Sequence, residues 1–145
     1  AEGSVQLLVG TPPILSLVAL DEALEVFSSV DVEALRRKSI ALTELFIALV
    51  EDQLPGHGLR LVSPRDPVRR GSQVALAHPE GFAIMQALID RGVIGDFRAP
   101  DLLRFGFAPA YIRFVDVWDA VAVLEDIMNS RAWDRPEFRL RSKVT

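Results

Sequence analysis

The residues with the most to say about chemistry lie in Leu102-Leu103-Arg104-Phe105-Gly106-Phe107-Ala108-Pro109. In a strand, successive side chains face opposite ways. Leu103, Phe105 and Phe107 then share one strongly apolar face, and Leu102, Arg104, Gly106 and Ala108 share the other. A guanidinium in the middle of an apolar strand needs a partner. Its planar fork of donors matches the two oxygens of a carboxylate. Gly106, its same-face neighbour, leaves room for something to approach. Arg104 is therefore a candidate clamp for an amino-acid carboxylate. The commoner fate of such an arginine is structural: pairing with an Asp or Glu across the sheet, or snorkelling at the sheet edge. Spacing alone leaves both open.

A second segment is Val9-Gly10-Thr11-Pro12-Pro13. Gly10 permits close backbone approach or a positive φ. Thr11 brings a hydroxyl that can cap a following helix, and a helix N-terminus is a ready phosphate site. A plain capped helix start is the commoner reading. The sequence holds no P-loop and no GxGxxG. Its two lysines, Lys38 within a helix and Lys143 near the end, do not resemble a buried Schiff-base lysine. His78, in Ala77-His78-Pro79, reads as a surface turn residue.

The elements that must position these residues follow from periodicity. Pro12-Pro13 opens a helix whose Leu17, Leu20, Leu24 and Phe27 recur at helical spacing, ending at Ser28-Ser29. Asp31 is a plausible N-cap for a longer helix with an inward stripe of Leu35, Leu42, Leu45, Phe46 and Leu49. Arg36, Arg37 and Lys38 read as its solvated face, and Pro55-Gly56 stops it. Leu59–Val62 and Ser72–Ala77 are strand candidates, separated by a loop that carries Arg65, Arg69 and Arg70. A helix opens at Pro79-Glu80, with Phe82, Met85, Leu88 and Ile89 inward, and Gly92 stands where a left-handed cap is expected. Val93–Phe97 and Leu102–Ala108 should form a hairpin about Ala99-Pro100-Asp101. A last helix runs from about Val115 to Asn129, with Val117, Val121, Leu124 and Met128 inward. The stretch from Arg131 to Thr145 is charged and reads as loose. The expected order is α-α-β-β-α-β-β-α. That is an α+β fold: one domain over residues 1–145, with a small, largely antiparallel sheet covered by helices.

Composition narrows the function classes. The chain of 145 residues has 16 basic and 20 acidic residues, a net charge of −4, which argues against a phosphate-driven nucleic-acid role. It has no cysteine, so neither a disulfide framework nor a thiolate metal site, and two histidines are too few for a His-based cluster. No apolar run approaches the roughly 18 residues of a membrane span. No secretory leader is expected at the N-terminus, and Ala1–Val5 reads as an appended stretch or a cut through a longer chain. Half the residues are apolar and nine more are glycine, above the roughly 45–50% of ordinary globular chains. Either the core is unusually well filled, or apolar surface is meant for a partner or a further domain.

Taken together, the segments resemble one family. Phe97-Arg98-Ala99-Pro100-Asp101, Leu103–Pro109, Tyr111 and Asp116-Val117-Trp118-Asp119-Ala120-Val121 are similar to the C-terminal segment of bacterial kynureninases. So are Leu35-Arg36-Arg37-Lys38-Ser39, Arg70-Gly71-Ser72, and Ala87 through Asp96. Gly10-Thr11-Pro12-Pro13 stands where that family has the same kind of turn. The likeness covers about Leu8 to Thr145, with Ala110 departing from the leucine more common before the tyrosine. Kynureninases are cytoplasmic homodimers of the aspartate-aminotransferase fold type. They use pyridoxal 5'-phosphate (PLP) to hydrolyse L-kynurenine to anthranilate and L-alanine in tryptophan catabolism. The resemblance implies that this chain is their small C-terminal domain, inactive alone, with the Schiff-base lysine on a missing N-terminal domain. It implies that Arg104 binds the substrate's α-carboxylate. It implies that Thr11, with Gly10, contacts PLP at its phosphate across the dimer interface. Two other readings compete: another PLP enzyme of the same fold type, such as a cysteine desulfurase, and a stand-alone amino-acid-binding regulatory domain.

Overall fold

Pro13 stands at the N-cap of helix α1 (Ile14–Ser28), and its carbonyl accepts from Leu17 N at 3.0 Å in the computed structural model, which describes residues 10, 11 and 13–140. The helix carries Leu17, Leu20, Leu24 and Phe27 as expected, but Ile14, Leu15, Val18 and Val26 put apolar side chains on its other sides too. All eight are exposed, Leu15 by 87%. Helix α2 (Val32–Gln53) follows, and Asp31 Oδ1 accepts from Glu33 N at 2.8 Å, the expected cap. The chain divides into two compact units within the first turn of α2, one through Ala34 and one from Leu35 onward.

In the larger unit Leu42, Phe46, Leu49 and Val50 of α2 are buried. Strand β1 (Arg60–Leu61), a 3-10 turn (Pro67–Arg69), β2 (Gln73–Ala77), helix α3 (Gly81–Asp90), β3 (Asp96–Arg98), β4 (Leu102–Gly106), helix α4 (Phe114–Ser130) and the short helix α5 (Pro136–Arg139) complete it. The strands form one antiparallel sheet in the order β1-β2-β4-β3. The α+β class and the order of elements are as expected, with α5 in addition. Val74, Leu76, Leu103 and Phe105 enter one core with Phe46, Ile84, Leu88, Val121 and Leu124 of the helices.

All four strands are shorter than the periodicity suggests. The third begins at Asp96, not Val93, because Val93 is spent on closing α3. Gly92, at φ +83°, donates to Ile89 O at 2.9 Å, and Val93 N donates to Leu88 O at 2.9 Å, the paired bonds of a Schellman cap. Gly95 then packs so closely that a Cβ there would stand 2.7 Å from Met85 Cε. Ile89, expected inward, is exposed by 39%, and Ile84 takes its place in the core.

Three further readings are corrected by packing. Arg36 is not on a solvated face: its Nη2 donates to Arg70 O at 3.0 Å and to Pro67 O, tying α2 to the loop before β2. Arg131–Leu140 is not a loose tail. Trp133 is 8% exposed, the Arg131 and Arg139 guanidinium groups lie 5.4 and 5.7 Å from its ring centre, and Arg139 pairs with Glu80 at 3.2 Å. His78 is half-buried. Its Nδ1 accepts from Glu80 N at 3.0 Å and its ring meets Trp133 edge-on at 6.2 Å.

Burial holds the His78 imidazole below its ordinary pKa, against the opposing effects of the His57 backbone and the Glu80 carboxylate. In the window between the two pKa values the unfolded state then binds more protons than the folded one. The His78 contribution to stability is complete above about pH 6.5 and is lost as pH falls from there through the lowered value. Melting curves of this chain followed by circular dichroism should show a Tm that drops between pH 7.5 and 5.5. In His78→Asn, which keeps an acceptor for Glu80 N, that drop should be smaller. Equal drops in both proteins would dismiss the linkage.

Candidate functional site

The β3–β4 hairpin builds the site. Its register sets Asp96 opposite Arg104, Phe97 opposite Leu103 and Arg98 opposite Leu102. Leu103 and Phe105 are fully or almost fully buried in the core, so alternation sends Asp96, Arg98, Arg104 and Gly106 to the other face of the sheet. On β2, Ala75 lies opposite Arg104 and Gln73 opposite Gly106, and Arg60 of β1 is paired with Ala77 on that same face. A Cβ added at Gly106 would meet nothing within 4 Å. Ala75 is small, the space at Gly106 is open, and the Arg104 side chain is 29% exposed.

Arg104 has a partner. Its Nη2 donates to Asp96 Oδ2, and Arg98 Nε reaches the same oxygen at 3.3 Å. This is the cross-sheet pairing that spacing left open. The hydrogen bond from Arg104 holds the Asp96 carboxyl below its usual range, opposed by desolvation and helped by the charges of Arg104 and Arg98. The pairing does not saturate the arginine. Its Nε is buried and has no hydrogen-bond partner among the described residues. Two guanidinium groups share one carboxylate oxygen, and the strand residues of this face hold Arg60, Arg98 and Arg104 against Asp96. The face keeps a positive excess suited to a carboxylate ligand.

Gly10 and Thr11 lie in the smaller unit, and both are exposed. Thr11 does not cap α1: the N-cap is Pro13, with no side-chain capping bond. Pro12 and Lys143 fall outside the described residues, and Lys38 is half-buried on α2.

Against this geometry, the comparisons with known proteins are consistent with one another. A family model described as the kynureninase C-terminal domain matches residues 35–124. The chain belongs to the kynureninase family. Proteins named kynureninase from Burkholderia mallei (strain SAVP1) and Burkholderia pseudomallei (strain K96243) are each 54% identical to it over 143 residues, 99% of this chain and 34% of theirs. One from Pseudomonas fluorescens is 50% identical over 145 residues, 100% of this chain and 35% of its own. The chain thus spans about a third of the length of these kynureninases. The family model starts at Leu35, where the chain divides into its two compact units. The family membership weighs against a cysteine desulfurase. No described helix is long and apolar enough to cross a membrane.

Asp96, Arg98 and Ala75 are the members of the site that motif reading passed over. The signal for Asp96 was present: a hairpin turning about Pro100 puts it opposite Arg104.

Proposed function

We propose that this chain is the small domain of a PLP-dependent kynureninase, and that Arg104 holds the α-carboxylate of L-kynurenine while the parent enzyme cleaves the Cβ–Cγ bond to give anthranilate and L-alanine. The observation that carries the assignment of Arg104 is its placement: a guanidinium at the centre of β4, its side chain 29% exposed, beside the open space at Gly106. A substrate carboxylate arriving there would take donors that the sheet leaves unused. Holding the amino-acid end in this way fixes the orientation of the bond to be broken.

PLP, when bound, supplies the electron sink for the chemistry at the amino-acid end. The residues present fit part of its site. Thr11 is exposed and not engaged in capping α1, so its hydroxyl, with the Gly10 backbone, suits a phosphate ester. On this reading Lys38, placed along α2, is not the Schiff-base lysine. The linking lysine belongs, on this reading, to the preceding two-thirds of the parent, and the chain by itself is inactive. The apolar surface of α1, exposed on all sides, supports the presence of a covering partner, either that upstream domain or the second subunit of a cytoplasmic homodimer.

The test is Arg104→Gln in the full-length parent, followed by the fluorescence of released anthranilate. A charge-assisted hydrogen bond contributes about 1.5–3 kcal/mol, so kcat/KM should fall by on the order of tenfold to a few hundredfold. Unchanged kinetics would remove Arg104 from the substrate site.

A further inference from the structure

Arg104 has a partner before any substrate arrives, and that partner has a place in the reaction. Four observations bear on what Asp96 does. It lies directly opposite Arg104 in the hairpin register, so its position is fixed by the sheet and not by a flexible loop. It engages Arg104 through Nη2 only, and Nε remains without a partner. Its side chain is 49% exposed, so it reaches the guanidinium from the solvent side of the sheet face and does not pull it into the core. Finally, the same carboxylate oxygen takes Arg98, which would otherwise stand on the same face as a second, repelling cation.

An arginine side chain carries large rotamer freedom, and fixing it costs binding free energy unless something else has fixed it first. Asp96 is placed to do that fixing. A carboxylate on the neighbouring strand orients the fork, while a single monodentate contact leaves donors for a second carboxylate. Because Arg98 shares Asp96, the cluster retains one net positive charge, so the negative partner does not cancel the attraction for substrate.

Resting on the assignment of Arg104 to the substrate carboxylate, we propose that Asp96 is a positioning residue for this reaction: from strand β3 it pre-orients the Arg104 fork and separates it from Arg98, and thereby sets the affinity for the amino-acid end of the substrate without touching the reacting atoms.

The experiment uses the full-length holoenzyme and the variants Asp96→Ala, Asp96→Asn, Arg104→Gln and the double variant Asp96→Ala/Arg104→Gln. Asp96→Ala should raise KM for L-kynurenine on the order of tenfold with kcat held within about twofold, the signature of lost ground-state and transition-state binding together. Asp96→Asn keeps the shape and an acceptor oxygen but loses the charge, so it should rescue part of the loss. It also remains informative should the alanine variant fold poorly. The double variant should bind no worse than Arg104→Gln alone, because Asp96 acts through that arginine. Calorimetric titration with the product L-alanine gives a second readout without turnover, and its Kd should weaken in parallel with KM. If Arg104→Gln raises KM but Asp96→Ala leaves it unchanged or lowers it, the positioning role is overturned and the assignment of Arg104 stands. Additive effects in the double variant overturn it as well. If Arg104→Gln leaves KM and the Kd for L-alanine unchanged, the assignment of Arg104 itself has failed, and the role of Asp96 falls with it.

Discussion

Replacing Arg70 by methionine should cost the larger unit about 3–5 kcal/mol, because several hydrogen bonds from one buried guanidinium, each worth about 1.5–3 kcal/mol when a charged group takes part, are lost together. The Arg70 side chain is 2% exposed, and four acceptors converge on it. Its Nη1 donates to Pro64 O at 2.6 Å and to Arg65 O at 3.0 Å, and its Nη2 to Thr43 Oγ1 at 3.3 Å and to Glu44. Methionine fills much of the space but donates nothing. Glu44 is half exposed and recovers water when the pair is broken, so its loss is not the main term. The buried Thr43 hydroxyl loses its donor, at about 1–3 kcal/mol for a group left buried and unpaired, while the carbonyls of Pro64 and Arg65, on exposed loop residues, lose theirs at smaller cost. The change should appear as a fall in Tm of roughly 15 °C or more for a unit of this size. Glu44→Gln, which leaves Arg70 and its carbonyl partners in place, should cost clearly less. A Tm within a few degrees of the parent for Arg70→Met would mean that the loop is held by Arg36 and by the Ser39–Ser72 contact of 2.7 Å instead.

Arg70 also marks where sequence reading stops. The stripes of α2 and α4 were legible because burial follows a period of 3.6, and Leu42, Phe46, Val117, Val121 and Leu124 fall on it. The Asp31 cap and the Gly92 cap were legible because each depends on two or three neighbouring residues. A charged side chain in a loop gives no such local signal. Arg36, Arg65, Arg69 and Arg70 look alike in the sequence, yet Arg36 and Arg70 bind α2 to the loop across more than 30 and 25 residues of chain, while Arg65 stays 68% exposed beside Glu51. The stretch after Arg131 was misread for the same reason. Its charges looked solvated, but Arg131 and Arg139 lie near the ring of Trp133, and a single buried indole outweighs the local polarity.

The site was half legible. Alternation gave the face on which Arg104 stands, and the gap beside Gly106. It could not choose between a structural pair and a ligand clamp; the structure shows the pair, and the clamp is the proposal made above. Asp96 pairs with Arg104, and Arg104 still has a buried donor to spare. The third strand was drawn three residues early because Val93 and Ile94 have strand-like side chains. Backbone accounting decides against them: the Val93 N–H closes α3 and is not available to a ladder. With the strand begun at Asp96, its pairing with Arg104 follows directly. Thr11 is the converse case, since its residue type suits a cap that the chain does not use.

Phe46→Ala is the second change expected to have a large effect, and it links the core to the site. Phe46 is 1% exposed, and its ring centre lies 4.8 Å from that of Phe105 and 5.2 Å from that of Phe107, both tilted. Phe105 follows Arg104 directly, so the strand that presents the guanidinium rests on this ring. Truncation should cost about 3–5 kcal/mol, as for other buried phenylalanines. Against a total of about 5–15 kcal/mol for an ordinary domain, that leaves little reserve. Phe46 also lines a groove of about 390 Å³ with Phe105, Gly106 and Phe107. Shortening it would open the core to that groove, so the vacated space fills with water and the void penalty shrinks. The same opening wets Phe105 and Phe107, which restores the cost through lost burial. Phe46→Leu keeps most of the volume and should cost less than about 1.5 kcal/mol. Urea unfolding of the three proteins separates the contributions through their midpoints. Equal midpoints for the Leu and Ala variants would show that aromatic contact with β4, not side-chain volume, is what Phe46 contributes.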